Sequence, residues 1–258
     1  MQELKALIFD VDGTLADTER DGHRVAFNQA FAEAGLDWEW SVERYGQLLR
    51  VTGGKERIRQ YLAEDHPERL AEPGIDQRIR ELHAAKTRHY VALLETGAIP
   101  LRPGVERLLD EAAAAGLRLA IATTTTPENV TALLEATLGE EGPYRFEVIS
   151  AGDVVPEKKP APDIFRHALE AMDLPPEACL ALEDSDNGVR AARGAGLTVV
   201  VTTNDYTREQ DFSGALVVLD GFGEPQHPAT VLRGPDLPGP CVDVEALRGW
   251  AAVAQGGR

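Results

Sequence analysis

Cysteine is scarce. The 258 residues hold two, Cys179 and Cys241, too few for a disulfide framework or a four-cysteine zinc site. A reducing, cytoplasmic location is therefore expected. Basic side chains are also in short supply, 26 against 43 acidic ones, and the net charge of −17 repels polyanions at long range. Neither nucleic acid nor an anionic membrane surface is an expected partner. No run approaches the roughly 20 apolar residues of a membrane span, and MQELKALIF enters an apolar strand with neither a signal-peptide core nor an Arg-rich transit segment. Internal repeats and low-complexity runs are missing, and Trp38, Trp40 and Trp250 are too scattered to form a stacking platform. What remains is an ordinary globular composition, 43% hydrophobic and 27% charged, at a length that suits one large or two modest domains. A monomer is expected. An anionic substrate would need positive charge gathered locally, from a metal ion, a few Lys or Arg side chains, or backbone N–H groups.

Five short apolar runs read as fully buried strands: Leu7 to Phe9, Leu119 to Ala122, Phe146 to Ile149, Leu180 to Leu182 and Val199 to Val201. Between them lie helical patterns, such as Val105, Leu108, Leu109 and Ala112 after Pro103, and Ile164, Phe165, Ala168, Leu169 and Met172 after Pro162. Gly116 and Gly196 follow helices as stops. Alternating strand and helix predict an α/β fold, a Rossmann-like parallel sheet with helices on both faces. Residues 17–97 break the rhythm with helical patterns alone, so an all-helical insertion is expected between core segments 1–16 and 98–225. In this insertion Ile79, Leu82, His83 and Lys86 step along one helix face. Residues 226–258 read as a Pro/Gly-rich tail ending in an accessory helix, through Val244, Leu247, Ala251 and Ala254.

Ligands of open parallel sheets bind beyond the carboxyl ends of the strands, and here those ends are polar. They carry Asp10-Val11-Asp12-Gly13-Thr14, Thr123 to Thr126, Lys158-Lys159-Pro160 and Glu183-Asp184-Ser185. A spacing of two along extended chain turns Asp10 and Asp12 to the same side. Two carboxylates that close need a cation between them or a proton on one. Mg²⁺ suits hard oxygen ligands, with Asp10, Asp12 and the distant Asp184 as the expected set. Gly13 permits a close turn, and the Thr14 hydroxyl is expected to tie the loop to a carboxylate. Any one of these motifs is equally explained as turn chemistry, whereas four in strand order are not. A calcium loop fails because Thr14 and Leu15 stand where Asp or Asn and Gly are required. A nucleotide P-loop at Gly53-Gly54-Lys55 fails because Leu49 and Glu56 stand where Gly and Ser or Thr are required.

These residues resemble the haloacid dehalogenase-like phosphohydrolases, whose four motifs follow in this order across a Rossmann-like core. The resemblance implies that Asp10 in FDVDGTL is the nucleophile, Asp12 the general acid and base, Thr123 in AIATTTT a phosphoryl-binding residue, Lys159 in EKKPAPDIF a neutralising cation and Asp184 in LEDSDNG a Mg²⁺ ligand. The insertion resembles the family's C1-type cap. ADTE, HRVAFNQAF, TGGKERI and AGDVVPEKKPAPDIF are similar to the CbbY-like phosphatases, which implies xylulose-1,5-bisphosphate as the substrate and hydrolysis through an aspartyl phosphate. That similarity stops near residue 225.

A bisphosphate needs a second anion site, and Gly53, Gly54, Lys55 and Arg57 are the candidates. They also read as a plain interhelical turn with solvated charges. Thr124 and Thr125 add backbone N–H groups before a helix starting at Pro127. Glu19 and His23 are placed to bond substrate hydroxyls or position Asp12. Lys158, beside Lys159, reads as a solvated charge, and Lys86 and Arg88 read equally as exposed helix charges or site residues. Competing readings are a β-phosphoglucomutase, a phosphatase of sugar monophosphates or phosphoglycolate, and a phospho-receiver switch. The last has no use for an insertion of about 80 residues.

Overall fold

A single sheet of seven strands runs through the described residues, 2–256, of the computed structural model; Met1, Gly257 and Arg258 lie outside them. The strands are β1 (Ala6–Phe9), β2 (Arg118–Thr123), β3 (Val148–Ala151), β4 (Cys179–Glu183), β5 (Thr198–Thr202), β6 (Val217–Leu219) and β7 (Val231–Arg233). Their order is β3-β2-β1-β4-β5-β6-β7, parallel except for the antiparallel edge strand β7. The helices are α1 (Arg24–Glu33), α2 (Val42–Leu48), α3 (Gly54–Asp65), α4 (Ile75–Glu95), α5 (Val105–Ala114), α6 (Pro127–Leu138), α7 (Asp163–Met172), α8 (Asp186–Gly194) and α9 (Val244–Gly256).

Strand alternation builds the layers. Leu7, Phe9, Leu119, Ile121, Leu180 and Leu182 join one apolar cluster with α5, α6 and α9. Ala6, Ile8, Ala120, Ala122 and Ala181, one residue out of step, join another with α7 and α8. Side chains of period two buried on both sides are what a helix-covered parallel sheet requires, so the α/β class holds. Between β1 and β2 come only helices. They close over their own aromatic cluster, where Trp38 and Trp40 pack against Phe27, Phe31, Tyr45 and Tyr61.

Three differences from the sequence reading are physical. The strand expected from Phe146 begins at Val148, because Phe146 ends a 3₁₀ turn and packs edge-on to Phe9. β6 and β7 were not expected, being three residues each. The Pro/Gly-rich stretch also holds a strand, β7, that pairs with β6, while its accessory helix forms as α9, which buries Leu247 and Trp250 in the same cluster as α5. No described helix is long and apolar enough to cross a membrane.

Candidate active site

Strand order reverses around β1, where the chain passes to β2 on one side and returns to β4 on the other. A crevice opens at such a switch point. Asp10 follows β1, Thr123 ends β2 and Asp184 follows β4, and together with Asp12, Thr124 and Lys159 they line one cleft of about 80 Å³.

Lys159 is buried and donates from Nζ to Asp10 Oδ1 at 2.6 Å and to Glu183 Oε1 at 2.5 Å. Carboxylate oxygens of Asp10, Glu183 and Asp184 all lie within 4.8 Å of one another. Three buried carboxylates against one ammonium leave surplus negative charge. Burial, with Glu183 and Asp12 nearby, pushes the Asp10 carboxyl up to about 8 against the pull of Lys159. Burial, then Asp10 and Glu183, pushes Asp184 well above the usual range. Without a cation such a site holds protons, and a divalent ion that displaces them is well matched to hard oxygen donors.

The three acids differ in their freedom. Glu183 Oε1 is taken by Lys159, and Oε2 accepts from the Asp184 N–H at 3.1 Å and from Ser185 Oγ at 3.3 Å. A Cβ on Gly188 would fall 1.9 Å from this carboxylate, so only glycine leaves room for it. Glu183 stays behind Lys159 and does not line the cleft, whereas Asp10 and Asp184 do. Asn204 Nδ2 donates to Asp184 Oδ2 at 2.7 Å. A cation in the cleft would therefore be held by Asp10 and Asp184.

One carboxylate oxygen of Asp12, expected as the third metal ligand, is taken up by other partners. Its Oδ1 accepts from Thr18 Oγ1 at 2.5 Å and lies 2.7 Å from His23 Nε2. His23 Nδ1 is 2.8 Å from Nζ of Lys86. An ammonium only donates, so with Lys86 charged Nδ1 accepts and Nε2–H points at Asp12. Burial would raise Asp12, but the hydrogen bonds from His23 and the Thr18 hydroxyl, with Lys86 nearby, outweigh it and hold the carboxyl well below the usual range. Thr14 does not act as expected: its hydroxyl is buried without a partner among the described residues. Thr123 Oγ1 instead accepts from the Thr125 N–H at 3.3 Å, turning the loop toward the start of α6.

Next to the cleft is a second hollow of about 40 Å³, walled by Gly53 and Gly54 at the start of α3, by Arg57, His83 and Lys86, and by Thr124 to Thr126. Asp12, Glu19, Arg57 and Thr124 line both spaces. Glu19 and His23 come from a π-helical turn, Glu19–His23, that leads into α1. Glu19 accepts from the Tyr45 hydroxyl, which in turn accepts from Arg57 Nη1 at 2.8 Å. Arg57 is 7% exposed and its Nε is unpartnered among the described residues, a free donor between the two spaces. Burial pushes Lys86 down to about 8 and, with nearby lysines, His83 down to about 3, so the positive charge of the hollow comes from Arg57 and Lys86, facing the carboxylates of Asp12 and Glu19.

Lys55 corrects the sequence reading. Its Nζ lies 2.5 Å from Asp153 Oδ2, and Asp153 also accepts from Lys158 at 2.7 Å, which with Lys55 holds that carboxyl down at about 2. Lys55 thus ties α3 to the loop after β3, outside the hollow. Glu183, Asn204, Thr18, Tyr45 and Lys86 were not singled out for the site. Two of them carried a signal: Glu183 as a polar strand end, and Lys86, which shares the helix face of Ile79 and Leu82 and is buried with them.

A mostly parallel α/β sheet with a buried aspartate just after β1 and its lysine and acid partners points to a class of hydrolase, and the chain belongs to it: the family model for haloacid dehalogenase-like hydrolases matches residues 4–196. Within the family the chain is similar to CbbY proteins. It is 56% identical over 213 residues to Protein CbbY of Rhodobacter capsulatus, covering 83% of this chain and 91% of that one. It is 48% identical over 250 residues to the plasmid CbbY of Cupriavidus necator, covering 96% of both, so this alignment reaches well into the residues after 225. A solved structure of a CbbY mutant from Rhodobacter sphaeroides in complex with xylulose-1,5-bisphosphate superimposes with a TM-score of 0.80 at 50% identity, covering 86% of this chain and 96% of that one.

Proposed function

We propose that the chain is a Mg²⁺-dependent phosphatase of small sugar bisphosphates, with xylulose-1,5-bisphosphate as substrate, acting through an aspartyl phosphate on Asp10. The observation that carries this reading is the adjoining pair of spaces, a cleft holding the Asp10 and Asp184 carboxylates and a hollow where Arg57 and Lys86 offer two cations, sharing Arg57 and Asp12 as walls. One end of a bisphosphate is attacked while the other is held. The ligand in the related CbbY structure supports it.

In the first step Asp10 attacks phosphorus in line, an O–P bond forms on its carboxylate, and the bond to the sugar oxygen breaks as that oxygen takes a proton from Asp12, which takes up that proton when the anionic substrate binds beside it and regains it in the second step. Bound Mg²⁺ supplies the charge neutralisation that lets an anionic nucleophile meet an anionic phosphoryl group. Lys159, Thr123 and the N–H groups before α6 face the phosphoryl oxygens. In the second step water attacks phosphorus, Asp12 takes its proton, and the Asp10–phosphorus bond breaks to release phosphate. His23 and Thr18 hold Asp12 as a carboxylate, the form this second step needs. The helices between β1 and β2 then act as a cap that excludes bulk water and selects the substrate.

A phosphate-release screen over sugar mono- and bisphosphates, with Mg²⁺ and with chelator, tests the proposal. Release is expected fastest with xylulose-1,5-bisphosphate and absent with chelator. Isomer formation from β-glucose 1-phosphate without net release would instead mark a mutase. Arg57→Met is expected to raise KM for the bisphosphate roughly 10- to 100-fold, the worth of a charge-assisted hydrogen bond, and KM for a monophosphate by less than about threefold. Lys55→Ala should change both by less than about threefold, since a partly exposed pair is worth under ~1 kcal/mol. Equal losses on both substrates in Arg57→Met would remove Arg57 from the second phosphate site. The pH profile carries the same signature. Lys86 loses its proton through about 8, so the ratio of kcat/KM for bisphosphate over monophosphate is expected to fall above that pH. A flat ratio from pH 7 to 10 would exclude Lys86 as a phosphate ligand.

A further inference from the structure

Arg102 has no part in the chemistry above, yet it is a buried cation whose principal partners are backbone carbonyls. It lies where the chain returns from α4 toward α5. Leu101 pairs there with Ala16 of the outgoing linker, and the Arg102 N–H donates to the Leu15 carbonyl at 2.8 Å. Nη1 donates to the carbonyl of Gly13, to Thr202 O at 3.3 Å and to Thr202 Oγ1 at 3.2 Å. Nη2 donates to Thr203 O at 2.6 Å and to Asp220 O at 3.4 Å. Its carboxylate neighbour is Asp17, 3.3 Å from Nε and largely exposed.

The segments it joins bear directly on Asp184. Gly13 has φ +88°, and a Cβ there would fall 2.3 Å from Asp184 Oδ2 and 2.5 Å from Asn204 Nδ2, so the turn after Asp12 lies flush against both. Asn204, next to Thr203, is the side chain that orients Asp184. The linker at 17–21 and the loop at 203–208 flank a hollow of about 330 Å³. Arg102 lines it, and the exposed Arg20–Asp205 pair, at 3.9 Å, links the two segments.

We propose that Arg102 is a positioning residue that locks the Gly13 turn to the Thr202–Asn204 segment and thereby holds the Asp184 carboxylate in register with Asp10. It stands where the outgoing and returning linkers of the proposed cap pair with each other. The inference rests on the cation site of the proposed function and concerns this chain's own residues.

The test is Mg²⁺ binding by calorimetry to the full-length, chelator-stripped protein, alongside circular dichroism, thermal melting and kinetics. Arg102→Lys keeps the charge but cannot reach the same carbonyls. It is expected to bind Mg²⁺ about 10-fold more weakly, as loss of an orienting outer partner does, with wild-type helix content and a bisphosphate KM within about twofold at saturating Mg²⁺. Asn204→Ala should weaken Mg²⁺ by a similar factor. Adding Arg102→Lys to it should cost less than about twofold more, because one route is already broken. Unchanged Mg²⁺ affinity with only a lower melting temperature, independent losses in the double variant, or an unfolded Arg102→Lys protein would each overturn the proposal and leave Arg102 a role in stability alone. Failure of the wild type itself to bind Mg²⁺ would overturn the metal reading instead, and the inference with it.

Discussion

Asp10→Asn is expected to abolish phosphate release, by on the order of 10⁴-fold or more, while the chelator-treated protein melts at the same temperature or higher. The amide fills the same volume and still accepts a hydrogen bond from Lys159, but it carries no charge to attack phosphorus or hold a cation. Stability moves the other way because burial pushes the Asp10 carboxyl up to about 8. Between its ordinary value near 3.8 and about 8, the folded protein holds a proton that the unfolded chain has lost, so this group makes stability fall as pH rises through that window. The amide removes the penalty, and the gain in melting temperature should be larger at pH 8 than at pH 4. A variant that keeps wild-type turnover, or one that is strongly destabilised at pH 8, contradicts the assignment.

Lys159→Met is expected to lose both properties. Lys159 is the ammonium set between the Asp10 and Glu183 carboxylates, at 2.6 and 2.5 Å. Breaking a buried pair by removing one partner costs about 3–5 kcal/mol, which for a chain of this size lowers the melting temperature on the order of 10 °C. The deficit should shrink as pH falls and the stranded carboxylates take up protons. Turnover is expected to drop roughly 10²- to 10³-fold, the usual cost of one lost donor to a developing oxyanion. Melting within a degree or two of wild type at neutral pH would mean that Lys159 does not neutralise this cluster. The opposite signs of the two stability effects separate an acid strained for chemistry from the cation that restrains it.

Residues whose position follows from strand ends were legible in the sequence: Asp10, Thr123, Lys159 and Asp184 reach one cleft because parallel strands deliver their carboxyl ends to one edge of the sheet. The facing of Asp12 was not. Extended-chain geometry alone turns it toward Asp10, and it is Thr18 and His23, six and eleven residues on, that capture its carboxylate. Glu183 was visible as a polar strand end, but nothing in LEDSDNG says that Gly188 clears a space for it or that Lys159 fills the other side. Lys55 and Arg57 show the same limit inside a single turn. Both are cations beside a double glycine, yet the first reaches outward to Asp153 and the second is buried under Tyr45, a distinction set by the aromatic packing of the helical insertion. β6 and β7 escaped notice because three-residue strands carry too little periodicity to read.

The most direct measurement is an acid quench during steady turnover of xylulose-1,5-bisphosphate with Mg²⁺, followed by peptide mass spectrometry. A phosphoryl group on the carboxyl of Asp10, appearing within the first turnover and decaying when substrate is exhausted, is the expected result. Linear phosphate release with no acyl phosphate on Asp10 at any quench time, in a protein whose Asp10→Asn variant still turns over, would contradict it.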